Sequence, residues 1–541
     1  MASSPGSGPS AARLCLPQWL MGTNRKVWLL WLTPIAATLG VTVLLLLAGR
    51  LADLWLAPEA HGTFLQDWIF VRDPEVARDV ILNVLQVVAG VFAITITVVA
   101  IIVQLSATRY TSRVVDLFLA DPINVLIFFV YVVPLIYGFW LSNALEAGTV
   151  APASVGIYML LSTAAIVLVI PYFQYVFVFL QPRHIIEKIE NSIEKSLSEA
   201  AGDAARIERG RDEVSNSIRQ LSDIAVSSIA QADIVLAMHC VDSIKQAARF
   251  YLRHKERLPE RWFQIDRNHL AGLSEDAWRE IVRRRTWVEM EVYKQFEIAF
   301  TNSLGKSHDV NSYVARALRE IAEAGSEFER METVELFIKG LNTYITYGLS
   351  DRDIRATVQV LYQYRLLCEA LLHRPEVVQR MAEHLRYYAH NSLRRGIFFI
   401  IDAISYDLRV LIEQAFVHHP ATAELLLGIF LQLDQVAETK DDLARMRGVR
   451  KSQAMLAGFL VRAGRMELAK RIHDDMAGES REFLAGIRQE LFDTHSREFW
   501  EIEDRGVSFY YVEESRRESV DAFFAWLLGE RPLPQEIAQS A

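Results

Sequence analysis

The sequence predicts an all-α chain: a four-helix transmembrane domain followed by a large α-helical domain, for which a solenoid-like arrangement is one expectation. Three observations carry this. Long apolar runs crowd the first third, 3.6-residue periodicity dominates the remainder, and nothing resembles a βαβ alternation. The composition divides in the same way. Of 541 residues 51% are apolar and 23% charged, with a net charge of −9 and a mean hydropathy of +0.15. Residues 1–182 hold 8 Lys+Arg and 9 Asp+Glu, whereas the rest holds 49 and 57. A mildly acidic soluble portion argues against non-specific nucleic-acid binding, which needs cations to neutralise phosphate. The three cysteines, Cys15, Cys240 and Cys368, form no CxxC pair. They predict neither a disulfide framework nor a zinc ribbon, and they suit a reducing compartment.

Four segments are long and apolar enough to cross a bilayer: Val27–Ala48, Ile81–Leu105, Ile123–Leu141 and Val155–Leu180. The first exceeds the ~7–15 apolar residues of a signal peptide and reads as a retained anchor. Pro34, Pro134 and Pro171 interrupt three of the spans and predict kinks there. Arg13, Arg25 and Lys26 precede the first span, Arg109 and Arg113 follow the second, and Arg183 and Lys188 follow the fourth. The 142–154 loop has neither Lys nor Arg. This bias places both termini and the 106–122 loop on the cytoplasmic side, so the helical domain is expected to be cytoplasmic. Residues 1–26 and 531–541 read as disordered tails, which leaves 27–182 as the membrane domain and 183–530 as the helical one.

The second span is the most informative. Asn83, Gln86, Gly90, Ala93, Thr97, Ala100, Gln104 and Ala107 recur at alternating three- and four-residue steps, while Val, Ile, Leu and Phe fill the remainder. That spacing lines them along one helix face, about 31 Å long from Asn83 to Gln104. Such a face serves either close helix packing through small residues or a polar path in an oligomer. The amides lie near the two membrane surfaces and the centre is small and nearly apolar, which favours packing. No charged residue lies well inside any span, which argues against a proton-driven pump. Ser106, Arg109, Tyr110, Arg113, Arg183 and Lys188 are expected at the cytoplasmic membrane surface, where positive-inside anchoring explains the cations as well as lipid headgroup binding does.

Behind the spans, amphipathic stripes run through Ile186, Ile189, Ile193 and Leu197, through Ile218, Leu221, Ala225 and Ile229, and through Ala237, Val241, Ile244, Ala248 and Tyr251. Later helices are expected near 276–303, 310–324, 330–347, 351–371, 375–413, 421–436 and 450–476. Met455–Met476 reads as a helix, a turn at Gly464 and a second helix, resembling one tetratricopeptide-type hairpin. Two antiparallel helices packed through small residues would look the same.

The stretch VAGVFAITITVVAIIVQLSATRYTSRVVDLFLADP (88–122) resembles the bacterial membrane-protein family known only as domain of unknown function 2254. A Thr/Ser-rich span with glycine there runs into a polar turn, matched by Gln104, Leu105 and Ser106, although this chain lacks the family's proline. QLSDIAVSSIAQADIVLAMHCVDSI (220–244) is similar to the family's cytoplasmic helix pair but has lost both prolines and the Asn-Asp pair of its link. The resemblance implies an integral inner-membrane protein with a cytoplasmic helical domain and implies no activity.

Motifs of known chemistry are missing. Gly305-Lys306-Ser307 lacks the first glycine of a phosphate loop, because Phe300 stands in its place. His384 and His390 are wrongly spaced to share a metal, His418 and His419 precede Pro420 at a helix start, and His239 reads as a half-buried core histidine. No HExxH motif, nucleophile elbow or dinucleotide fingerprint occurs, so no enzymatic activity, catalytic residue, metal site or cofactor is expected. Arg283, Arg284 and Arg285 beside Trp287 could meet an anionic partner. With Glu280, Glu289 and Glu291 around them, they read better as a solvated face with internal ion pairs. The expected partners are membrane lipid, further copies of the chain and a protein bound to the helical domain.

Overall fold

The structure is a computed structural model that describes residues 40–49, 51–53, 74–109, 115, 118–119, 121–145, 152–202, 206–267, 272–435, 446–498, 506 and 508–532. Every regular element among them is helical. The chain divides into two units, Met1–His184 and Ile185–Ala541.

In the first unit, residues 40–49 and 51–53 are helical. The rest of the expected first span, Pro34 included, lies outside the described residues. Helix α1 (Pro74–Arg109) starts earlier than the apolar run because Pro74 and Glu75 make a favourable first turn. At ~1.5 Å per residue its 36 residues reach about 54 Å. Helix α2 (Pro122–Leu145) starts where Asp121 Oδ1 accepts from the Ile123 amide at 3.0 Å, and it continues through Pro134. The last span is divided into α3 (Pro152–Val167) and α4 (Val169–Phe179). The division precedes Pro171, whose ring removes one amide donor, while Leu168 and Tyr172 still donate to Ala164 and Leu168. Among the described residues, three helices, Glu75–Thr108, Pro122–Leu145 and Ala153–Phe179, are long and apolar enough to cross a membrane.

Ala77 and Ile81 on α1, Tyr137, Leu141 and Leu145 on α2, and Val155 and Tyr158 on α3 form one buried cluster. Tyr158 donates to the Ile81 carbonyl at 3.2 Å, and Tyr137 to that of Ser154 at 3.3 Å. Asp53 closes this end, accepting from the Ala153 amide at 2.8 Å and from Ser154 Oγ at 2.5 Å. A carboxylate thus sits on the N-terminus of α3, where unpaired amides and the helix dipole favour it. Gly138 allows α2 to approach α3, since a Cβ there would fall 2.5 Å from Tyr158 Cε2. Gly138→Val should therefore force the two helices apart, costing about 1–3 kcal/mol and lowering the detergent unfolding midpoint. An unchanged midpoint would refute that close approach.

The second unit opens with α5 (Pro182–Gly202), which meets α6 (Ile207–Ala230) where Gly210 lies beside Ser196 and Ala200. Then follow α7 (Ile234–His254), short α8 (Glu260–Phe263), α9 (Glu275–Arg284), α10 (Trp287–Ser303), α11 (His308–Glu327), α12 (Met331–Ser350), α13 (Ile354–Ala370), α14 (Pro375–Arg394), α15 (Phe398–His418), α16 (Pro420–Phe430), α17 (Arg447–Arg462), α18 (Met466–Met476), α19 (Arg481–Phe492) and α20 (Glu514–Leu527). Two of the expected helices are broken. The 276–303 helix stops at Arg285, which adopts φ 56°, and the 375–413 helix stops at Gly396 with φ 71°. Left-handed residues end helices in this way, and glycine does so at least cost.

The three stripes in α5, α6 and α7 are buried. Helices α6, α10, α12, α14 and α16 pack in succession along one layer, and α7, α11, α13, α15, α17 and α20 along the other. Polar pairs link many neighbours. Arg219 meets Glu291 at 2.7 Å, Lys245 meets Glu320 at 3.0 Å, Arg365 meets Asp407 at 3.2 Å, and Arg516 meets Glu413 at 2.7 Å. An apolar contact tolerates sliding, whereas a buried charge stranded by a slip costs several kcal/mol, on the order of 3–5. These pairs therefore hold helices of the same layer in register.

Candidate functional site: the outward face of α1

Helix α1 presents two unlike faces. Ala77, Ile81, Val88, Thr95, Val99 and Val103 are buried, and α1 packs on α2 and α3. Asn83, Gln86, Gly90, Ala93, Thr97, Ala100 and Gln104 are all exposed, and Ala107 is half-buried. The small-residue face therefore points away from the chain's own described partners, together with a neighbouring ridge of Val87, Ile94 and Ile101. Asn83, Gly90, Thr97 and Gln104 fall seven residues apart, as do Gln86, Ala93, Ala100 and Ala107. Two such interleaved sets form the a/d seam of left-handed helix pairing. Thr97 Oγ1 donates to the Ala93 carbonyl at 2.8 Å, so this hydroxyl is satisfied within its own helix. Little of the face is polar at its centre.

The expected membrane-surface residues are only partly described. Ser106 is half-buried, and Arg109 ends α1. Tyr110 and Arg113 lie outside the described residues. Arg183 and Lys188 are exposed positions on α5, at most one turn from Ile186 and Ile189, which are buried.

In the second unit two of the histidines serve the packing. His384 Nδ1 lies 3.2 Å from Asn342 Nδ2, and His390 Nε2 lies 3.1 Å from the Leu433 carbonyl. Burial holds both imidazoles below their usual pKa. Cys240 and Cys368 are buried, and burial pushes the Cys240 thiol up to about 12. No cluster of metal-ligating side chains occurs among the described residues.

Two of the acids expected to flank the arginine triplet do otherwise. Glu289 and Glu291 are buried and pair with Lys255 and Arg219. Glu280 does pair with Arg283 and Arg284, which hold its carboxyl down to about 2. Trp287 is buried and donates to the Trp262 carbonyl at 3.1 Å. The triplet also lines a cavity of about 550 Å³, with Lys255 and Arg330 in its walls. Reading along the chain misses that convergence, because the contributing helix ends are remote in sequence.

Apolar helices of spanning length on a shared core define a multi-span membrane protein. Residues 29–217 match the family described as predicted membrane protein (DUF2254), the family the sequence resembles. None of the curated proteins matches the chain. One solved structure, described as a circular tandem repeat protein with novel repeat topology and enhanced subunit contact surfaces, overlaps 86% of this chain and 99% of its own. The identity is 14% and the TM-score 0.33, too slight an overlap to bear on the fold.

Proposed function

We propose that the chain is a non-enzymatic protein of a bacterial inner membrane that self-associates through the outward face of α1. Its helical domain is a solenoid-like cytoplasmic surface for a protein partner. The observation that carries the reading is the exposure of the whole Asn83–Gln104 face, on a helix whose opposite face packs against α2 and α3. Small residues at heptad spacing let two backbones approach, and amides at either end find partners on a second copy that lipid cannot offer. Four spans with both termini inside follow from the Lys/Arg bias, and the acidic helical domain disfavours nucleic acid. The two-layer succession of helices supports the solenoid reading, since each hairpin there buries its apolar face on the next.

The test is cross-linking. In a Cys15→Ser background, Ala93→Cys should form a disulfide-linked dimer in native membranes, while Phe139→Cys, exposed on α2, should not. Labelling of the introduced thiol by a lipid-phase reagent in place of dimer formation would sink the reading. A cross-link from it to a second cysteine engineered into the first span of the same chain would do so as well. Gly90→Leu with Ala93→Leu should convert detergent-stable oligomers to monomers. The competing reading is an oligomeric channel with this face lining the path and the helical domain as gate or sensor. The locally satisfied Thr97 and the nearly apolar midplane weigh against it. Single-channel currents in planar bilayers that change on Thr97→Asp would favour it instead.

A further inference from the structure

We infer that the cavity beneath Arg283–Arg285 binds a soluble, phosphate-bearing small molecule with at least two negative charges, of nucleotide size. Its volume, about 550 Å³, falls within the ~300–1,000 Å³ of small-molecule sites and is ample for a diphosphate. Five cations line it: Lys255, Arg283, Arg284, Arg285 and Arg330. Three carboxylates, Glu256, Glu332 and Glu335, share the wall, and Glu260, Glu280 and Glu289 pair with its cations from beside it, so an anion binds here by exchanging with these acids.

The cations converge from separate elements. Lys255 follows α7 and is buried, fixed by Glu289 Oε1 at 2.5 Å, which also accepts from Thr333 at 3.1 Å. Arg330 precedes α12, a 20-residue helix whose N-terminus no side chain caps, and its Nε is buried without a hydrogen-bond partner. The positive end of the α12 dipole thus adds to the same wall. Arg285 matters most. Consecutive residues of a helix fan out by about 100° each. The left-handed turn at Arg285 ends α9 instead and brings a third guanidinium to the cavity, 5.3 Å from the Phe263 ring centroid. Glycine would hold that turn at lower cost.

The existing ion pairs do not block a ligand. Arg283 with Glu280, Arg284 with Glu280 and Glu335, Arg285 with Glu260 and Arg330 with Glu256 each have at least one exposed partner, and such pairs contribute little and exchange readily. A diphosphate would replace them with charge-assisted contacts to several guanidinium groups at once. No step of this depends on the self-association proposed above.

The experiment uses full-length protein in nanodiscs of neutral phosphatidylcholine, titrated calorimetrically with ADP, pyrophosphate and inorganic phosphate at physiological salt. ADP and pyrophosphate should saturate, with inorganic phosphate at least tenfold weaker. Arg285→Gly should weaken ADP binding at least tenfold while leaving the thermal midpoint equal or higher, so that lost binding cannot be mistaken for lost folding. Arg330→Gln should weaken ADP similarly. Absence of saturation by both diphosphates, or unchanged affinity in Arg285→Gly, would overturn the inference. Binding of phosphatidylglycerol vesicles through these arginines without binding of ADP would assign the site to a lipid headgroup and overturn it equally.

Discussion

Arg450→Met should destabilise the last helices of the second unit by about 3–5 kcal/mol, the cost of breaking a buried ion pair from one side. Arg450 is only 8% exposed, and it meets Asp434 at 2.9 Å, Asp475 at 2.6 Å and Glu479 at 3.0 Å. One guanidinium thus serves three carboxylates and also donates to Gln453 at 2.9 Å. Burial already pushes the Asp434 carboxyl up to about 6 despite that cation. With Arg450 gone, the acids repel one another in poor solvent and α17 loses its link to α18. Hydrogen exchange at α17 and α18 is the suitable measurement, because a chain of two units has no single unfolding free energy. Protection should fall by about two to three orders of magnitude, and adding Asp434→Asn and Asp475→Asn should restore most of it. A loss below about tenfold would mean that the carboxylates are hydrated.

Asp402→Asn should work in the opposite direction, stabilising the protein at neutral pH. Burial raises the Asp402 carboxyl from 3.8 to about 6, outweighing the Tyr510 hydroxyl and Lys451 that pull it down. A carboxyl whose folded pKa is raised binds more protons folded than unfolded, so its contribution to stability declines as pH rises from about 4 to about 6 and is level above that. At about 1.4 kcal/mol per unit, the ionised form costs up to roughly 3 kcal/mol at pH 7.5. The amide keeps the shape and the contact with Tyr510 and carries no charge. The variant and the parent should melt alike near pH 4, and the variant should melt later at pH 7.5. Equal melting at both would show that Asp402 is solvated.

Much of this architecture is legible in the sequence, for reasons that differ by element. Ile186, Ile189, Ile193 and Leu197 are buried as their spacing requires, because a helix that exposes one polar face has only one other face to hide. The outward position of Gly90 and Thr97 is not readable there, since small residues suit a neighbour within the chain as well as one outside it. Glu289 and Glu291 lie two apart and would be expected on different sides of a surface helix. Both are buried because α10 has neighbours on several sides, in α6, α11 and α12. The break at Arg285 is silent in the sequence because arginine gives no warning of a left-handed turn, whereas Gly396 at the other break offers one. The polar pairs within each layer join residues far apart in the chain, and no local pattern announces them.

The clasp made by Asp53 imposes an order on biogenesis. The carboxylate emerges from the ribosome well before Ala153 and Ser154, its two donors. Until those residues are synthesised, that acid lacks both of these donors and the contact cannot lock. Locking waits for α3, and a nascent chain arrested before residue 153 should remain open to extraction and quality-control proteolysis.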